Sequence, residues 1–209
     1  MATIKNGIHG AFSGKVGTVV GYIRKGQGVM RVQGVRTTPP SKKELINREK
    51  FAVSQKWLSP LTDFLRIGFK DYQPTFEGFL AAKSYNHKHA LECDENNVFF
   101  INPALALVSF GSQPLPLTAS AICNEEQEFV FTWSTERPYA YNDYAMVVVY
   151  DSKHEDIYYH PAIAARGTGT ATVKLPQFKA REVDVYLAFT SDDRKQRTNS
   201  MYLGKLAVS

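Results

Sequence analysis

The residues Gly10-Ala11-Phe12-Ser13-Gly14-Lys15-Val16-Gly17-Thr18-Val19-Val20-Gly21 are where chemistry is first to be sought, because Gly-Lys inside a glycine-rich loop can hold a phosphate. A phosphate loop of the form G-x-x-x-x-G-K-[ST] cradles the anion with backbone N–H groups, reaches it with Lys and holds magnesium with a hydroxyl. Here His9 stands five residues before Gly14 and Val16 follows Lys15, so two of the four fixed positions fail. Ile4 to His9 is polar and interrupted, so no buried apolar strand leads into the loop. The stretch therefore reads as a pair of strands punctuated by glycine.

Other reactive side chains are as weakly patterned. His87 and His89 lie two apart in an expected helix, about 200° around its axis, and cannot share one ion; they read as solvated helix surface. No G-x-S-x-G elbow accompanies the serines, and His154 and His160 flank an expected hairpin where exposed polar residues belong. Glu125-Glu126, Glu155-Asp156 and Asp192-Asp193 fall in expected turns, where carboxylates are routine, with calcium in one of these loops as the alternative. Cys93 and Cys123 are far apart without CxxC spacing, which predicts free buried thiols rather than zinc or a disulfide framework. No enzyme chemistry, cofactor, metal or small-molecule substrate is expected.

Charge is distributed unevenly. Residues 1–70 hold 13 Lys/Arg against 3 Asp/Glu, and residues 71–209 hold 12 against 17, within a net +5. Such a basic arm implies an acidic partner: nucleic acid, an anionic surface or the acidic part of another copy. The cations expected to meet it are Lys15, Arg24, Lys25, Arg31, Arg36, Lys42, Lys43 and Arg48, interleaved with Phe12, Tyr22 and Phe51. No run of eighteen apolar residues predicts a membrane span, and Met1 to Gly7 lacks the apolar region of a signal peptide, so a cytoplasmic product is expected, with assembly into a particle as a further expectation.

The elements that would carry these residues fall into three stretches. Residues 1–40 predict a glycine-rich basic β-ribbon, with a hairpin turning at Lys25 to Gly28 and Gly14, Gly17, Gly21 and Gly26 as its structural glycines. Residues 41–96 predict a helical module. Ser41-Lys42-Lys43-Glu44 fits a capping box; helices are expected to Leu58, from Pro60 to Gly68, and from Thr75 to Leu91. Residues 97–209 predict short strands: Val98–Ile101, Ala104–Phe110, Ser120–Cys123, Phe129–Trp133, Ala145–Tyr150, Ile157–Tyr159, Thr170–Leu175, Val183–Thr190 and Met201–Val208. The fold class is therefore α+β: a ribbon and short helices followed by an Ig-like or fibronectin-like antiparallel β-sandwich without the antibody-type disulfide.

The motifs together resemble an uncharacterised family common in Bacteroidota, with an N-terminal SGK-x-G-x-VVG segment, then KG and R, and a helix bearing R-x-K-F. Ser13-Gly14-Lys15, Gly17, Val19-Val20-Gly21, Lys25-Gly26, Arg31 and Arg48-Glu49-Lys50-Phe51 carry the likeness. Val183 to Phe189, Ser191-Asp192-Asp193 and Asn199 to Gly204 extend it nearly to the C-terminus. Arg24 stands where the family often has an aromatic residue, and Thr38-Pro39-Pro40-Ser41 where it often has Asn-Pro-x-Thr. The resemblance implies no activity.

The expected function is that of a non-enzymatic structural or interaction protein, self-assembling as a homo-oligomer through the ribbon and displaying the sandwich. The alternative is a nucleic-acid-binding accessory protein of a mobile element or phage that uses the basic residues 1–70.

Overall fold

Alternation decides where each strand of the C-terminal part lies, and two strands alternate between two different cores. The computed structural model describes residues 3–4, 10–35, 37–70, 78–136 and 142–209. Arg36 and the expected helix start at Thr75 lie outside them. The chain forms two compact units, Met1–Lys42 and Lys43–Ser209. The first carries β1 (Thr3–Ile4), β2 (Phe12–Val16), β3 (Val19–Arg24) and β4 (Gln27–Val32), in one antiparallel sheet of order β1-β2-β3-β4.

Three helices open the rest: α1 (Lys42–Leu58), α2 (Thr62–Gly68) and α3 (Gly78–His89). α1 starts directly after Ser41, where Pro39-Pro40 cannot continue a helix backwards. A short pair follows, β5 (Leu91–Cys93) with β6 (Phe99–Ile101). Thus Leu91, expected to end the third helix, begins a strand. The Asp94 carboxylate accepts the N–H groups of Asn96 and Val98 and closes that hairpin locally.

Two larger antiparallel sheets complete the chain. One has three strands in the order β11-β8-β7, from β7 (Ala119–Cys123), β8 (Glu128–Trp133) and β11 (Thr170–Lys174). The other has four in the order β10-β9-β12-β13, from β9 (Tyr144–Asp151), β10 (Asp156–Ala165), β12 (Glu182–Thr190) and β13 (Met201–Ala207). Phe129, Phe131 and Trp133 of the first meet Val147, Val149, Val185, Leu187 and Phe189 of the second in one cluster. The intervening residues Met146, Val148, Tyr150, Tyr186 and Ala188 point the other way, into a second cluster with Trp57, Leu58, Leu61, Phe64 and Leu65 of the helical segment. The helices cover the second face of β12, so Val183 to Thr190 are all buried.

The expected strand Ala104–Phe110 is not one. Its residues form a partly buried connector held by backbone bonds at its ends and by side chains in its middle: Asn86 accepts the Leu107 N–H and donates to the Leu107 carbonyl, and Ser200 Oγ accepts the Val108 N–H at 2.9 Å. Alternating apolar residues report that a segment is buried on one side, and a ladder is only one way to achieve that.

Asp184, 2% exposed, faces the helical side of β12, opposite Tyr150 and Lys205 in register. Burial raises its pKa, only partly offset by the Tyr202 hydroxyl, which donates to it at 2.8 Å. A carboxyl raised in the fold costs stability where it is ionised, and that cost fades as pH falls through the folded pKa. Asp184→Asn keeps an acceptor for Tyr202 and is expected to raise Tm at pH 7 by about 2–4 °C. The gap to wild type should close toward pH 4, as scanning calorimetry across pH will show; a gap independent of pH would refute the assignment.

Candidate interaction surface

The N-terminal unit is built from tight turns and bare glycines. The β3–β4 turn holds two residues, Lys25 (φ 50°) and Gly26 (φ 79°), both left-handed as a type I′ hairpin requires. It is shorter than expected, because Gln27 and Gly28 already pair with Arg24 and Ile23. Gly17 (φ 57°) begins the β2–β3 turn. At Gly14 (φ 120°) the partner of β2 changes: Gly14 to Val16 pair with β3, whereas Phe12 and Ser13 pair with β1. Residues 11–12 then lie on the sheet. A Cβ on Gly21 would stand 2.5 Å from the Phe12 ring, and one on Gly28 would overlap Ala11.

Register separates the two faces of this ribbon. Lys15, Val20 and Arg31 form one row across three strands, so Tyr22, Arg24, Gln27 and Val29 share their face. Val16, Val19, Ile23, Met30 and Val32 share the other with the bare Gly21 and Gly28. Arg31 places its guanidinium 5.7 Å from the centroid of the Tyr22 ring. Lys25 sits at the turn tip. Lys42, Lys43 and Arg48 are exposed in the first turns of α1, where Leu45 and Phe51 are exposed too.

These placements give the opening glycines a conformational role. Alanine at Gly17 must adopt a left-handed backbone, and alanine at Gly21 must displace Phe12, so each is expected to cost the ribbon about 1 kcal/mol or more. Lys15→Ala should cost little. Hydrogen exchange of the β3 amides distinguishes the three variants, and a thermal shift with ATP or GTP that vanishes in Lys15→Ala would restore the phosphate-loop reading.

Several polar side chains come together that spacing alone did not announce. Ser54, expected only as helix, lies 2.9 Å from His87 Nδ1, so His87 is not simply solvated. Ser54 Oγ also lies 3.0 Å from the Lys50 carbonyl, so its single proton serves either that carbonyl or His87, as the tautomer of the ring decides. His89 stacks near Tyr85, with ring centroids 4.6 Å apart. Lys83 is buried between helices with its ammonium over the Phe51 ring and donating to Gln55, and burial lowers its pKa. His154 meets the buried Asp151 at 2.6 Å within the β9–β10 turn. Burial pushes the Asp151 carboxyl up, but hydrogen bonds from the His154 ring and the His154 and Lys153 backbone outweigh it and leave its pKa lowered. Cys93 and Cys123 are free thiols but not buried ones: each ends a short strand, where Cys93 is exposed and Cys123 only partly covered. Apart from Tyr85 with His89, one helical turn apart on α3, these contacts join elements distant in sequence or depend on a turn geometry, which local pattern does not reveal.

A protein of this kind is α+β, with three α-helices among the described residues, several antiparallel sheets and a glycine-rich basic ribbon in its N-terminal unit. The chain belongs to the family of unknown function DUF6266, whose model matches residues 11–204 and so takes in the ribbon from Ala11 and both large sheets. No curated protein matches it. Among the described residues, no helix is long and apolar enough to cross a membrane.

Proposed function

We propose that the chain is a non-enzymatic structural or interaction protein that joins further copies of itself through the apolar face and open edge of its ribbon. The observation that carries this reading is uncovered apolar surface: Val16, Ile23, Met30 and Val32 are 53–71% exposed, while the core side chains of the sheets are closed to solvent. A single sheet layer without a core is poorly stable alone, so these residues gain most by being covered.

The edge supports the same reading. In a two-residue hairpin the Arg24–Gln27 pair is hydrogen-bonded, and so by alternation are Tyr22–Val29 and Val20–Arg31. Gly28, Met30 and Val32 therefore turn their N–H and C=O groups outward along β4, the last strand of the sheet. The apolar face spans about 300 Å² by strand spacing, below the roughly 800 Å² per partner of a stable interface. Face and edge used together fit an assembly better than a simple face-to-face pair.

The C-terminal strands are displayed in this reading as an Ig-like, fibronectin-like sandwich. Its support is topology: the first, second and fifth of the seven strands β7–β13 form one sheet and the third, fourth, sixth and seventh the other, with Trp133 in their shared core. Mass photometry across concentration is expected to find an oligomer that Ile23→Thr with Met30→Thr reduces to a monomer. A wild-type chain that stays strictly monomeric at micromolar concentration would sink the proposal.

A further inference from the structure

The ribbon's polar face carries cations, and the ribbon has no acid of its own to answer them. Residues 1–43 contain no Asp or Glu. Lys15, Arg24, Lys25 and Arg31 join no ion pair among the described residues. Some acids elsewhere are paired with their own neighbours: Glu126 with Lys174, Asp156 with Arg181, Glu182 with Lys205, Asp193 with Lys195. An apolar contact between copies, made on the opposite face, leaves this one open.

Its geometry suits a particular polyanion. Lys15 and Arg31 flank β3 in one row, two strand spacings or about 10 Å apart, and Arg24 stands four residues further along β3, about 13 Å away. Tyr22 lies between, half-buried at its base, with the Arg31 guanidinium at its ring. An aromatic ring among cations holds a single strand by stacking on a base while the cations meet phosphates; a stacked duplex cannot use the ring. We infer that this face binds single-stranded nucleic acid, with Lys15, Arg24 and Arg31 on phosphates and Tyr22 against a base.

The test is fluorescence anisotropy of the full chain with a labelled oligo(dT) of about twenty nucleotides, titrated between roughly 50 and 200 mM salt. Binding should weaken steeply with salt, and should be tighter than to a duplex of the same length. Lys15→Gln, Arg24→Gln and Arg31→Gln together should flatten the slope of log K against log salt by about 2. Tyr22→Ala should weaken binding about tenfold or more, and Tyr22→Phe should restore it. Hydrogen exchange of β3 confirms that each ribbon is folded, and mass photometry of the same samples separates loss of binding from loss of assembly. Absent binding at low salt, preference for the duplex, an unchanged slope in the triple variant, or indifference to Tyr22→Ala in a folded ribbon would each overturn the inference.

Discussion

Arg166→Met is expected to lower the stability of the sheet unit by about 3–5 kcal/mol, the largest effect of any single change of charge in this chain. Arg166 is 1% exposed and pairs with Asp143, 2% exposed, at 3.7 Å. Its guanidinium donates to the Pro114 carbonyl at 2.7 Å and lies 4.1 Å from the centroid of the Phe189 ring, and its own carbonyl accepts the Trp133 indole N–H at 2.7 Å. Methionine replaces the aliphatic stem but leaves Asp143 as a buried carboxylate without its cation. Burial already raises the Asp143 pKa, with Arg166 the chief opposing influence, so removing Arg166 drives it higher. The variant should therefore recover stability as pH falls from 7 toward 5, because the folded state then takes up a proton that the unfolded chain does not. Adding Asp143→Asn should restore most of the loss at pH 7. Urea unfolding of the four proteins closes this cycle, and a single-variant loss under about 1 kcal/mol would show that the pair does not anchor this end of the sheets.

Gly111→Ala is expected to cost about 3 kcal/mol, or to prevent folding, through backbone overlap and not through side-chain packing. A Cβ at Gly111 would run into the backbone carbonyl of Arg197, which cannot step aside as the end of a flexible side chain can. The two segments are zipped on both sides of this point. The Gln113 N–H donates to the Arg197 carbonyl at 2.9 Å, the Gly111 N–H to Asn199 Oδ1 at 3.1 Å, and the Ser200 N–H to the Ser109 carbonyl at 3.0 Å. Parting the strands by the width of a methyl group breaks several of these bonds at once, with their polar atoms still buried. Gly34→Ala is the control, since that position has open space around its Cβ and should change Tm by less than about 1 °C. Equal Tm values for the two variants in calorimetry would contradict the structural account.

Local pattern was enough for much of this chain. Ser41-Lys42-Lys43-Glu44 after Pro39-Pro40 announced α1, and β-branched runs between turn residues announced β7 to β13 within a residue or two at most ends, because capping and strand alternation depend on near neighbours. β10 ran six residues past the expected Tyr159, with a register shift between His160 and Ala164 that lets the strand pass Pro161. Glycine with Lys25-Gly26 likewise announced the ribbon, since left-handed turn positions are a property of the residue itself. Which face of the ribbon is basic followed only from register, for a slip of one residue would move Lys15 and Arg31 to the apolar side. Tertiary structure alone decided that helices cover β9 and β12, burying both faces of each, and that residues 104–110 connect instead of pairing. It also brought Arg166 to Asp143 and Ser54 to His87. Those choices depend on which surfaces meet across long stretches of chain, and the free energy of burying one apolar face against another is not written in the period of either.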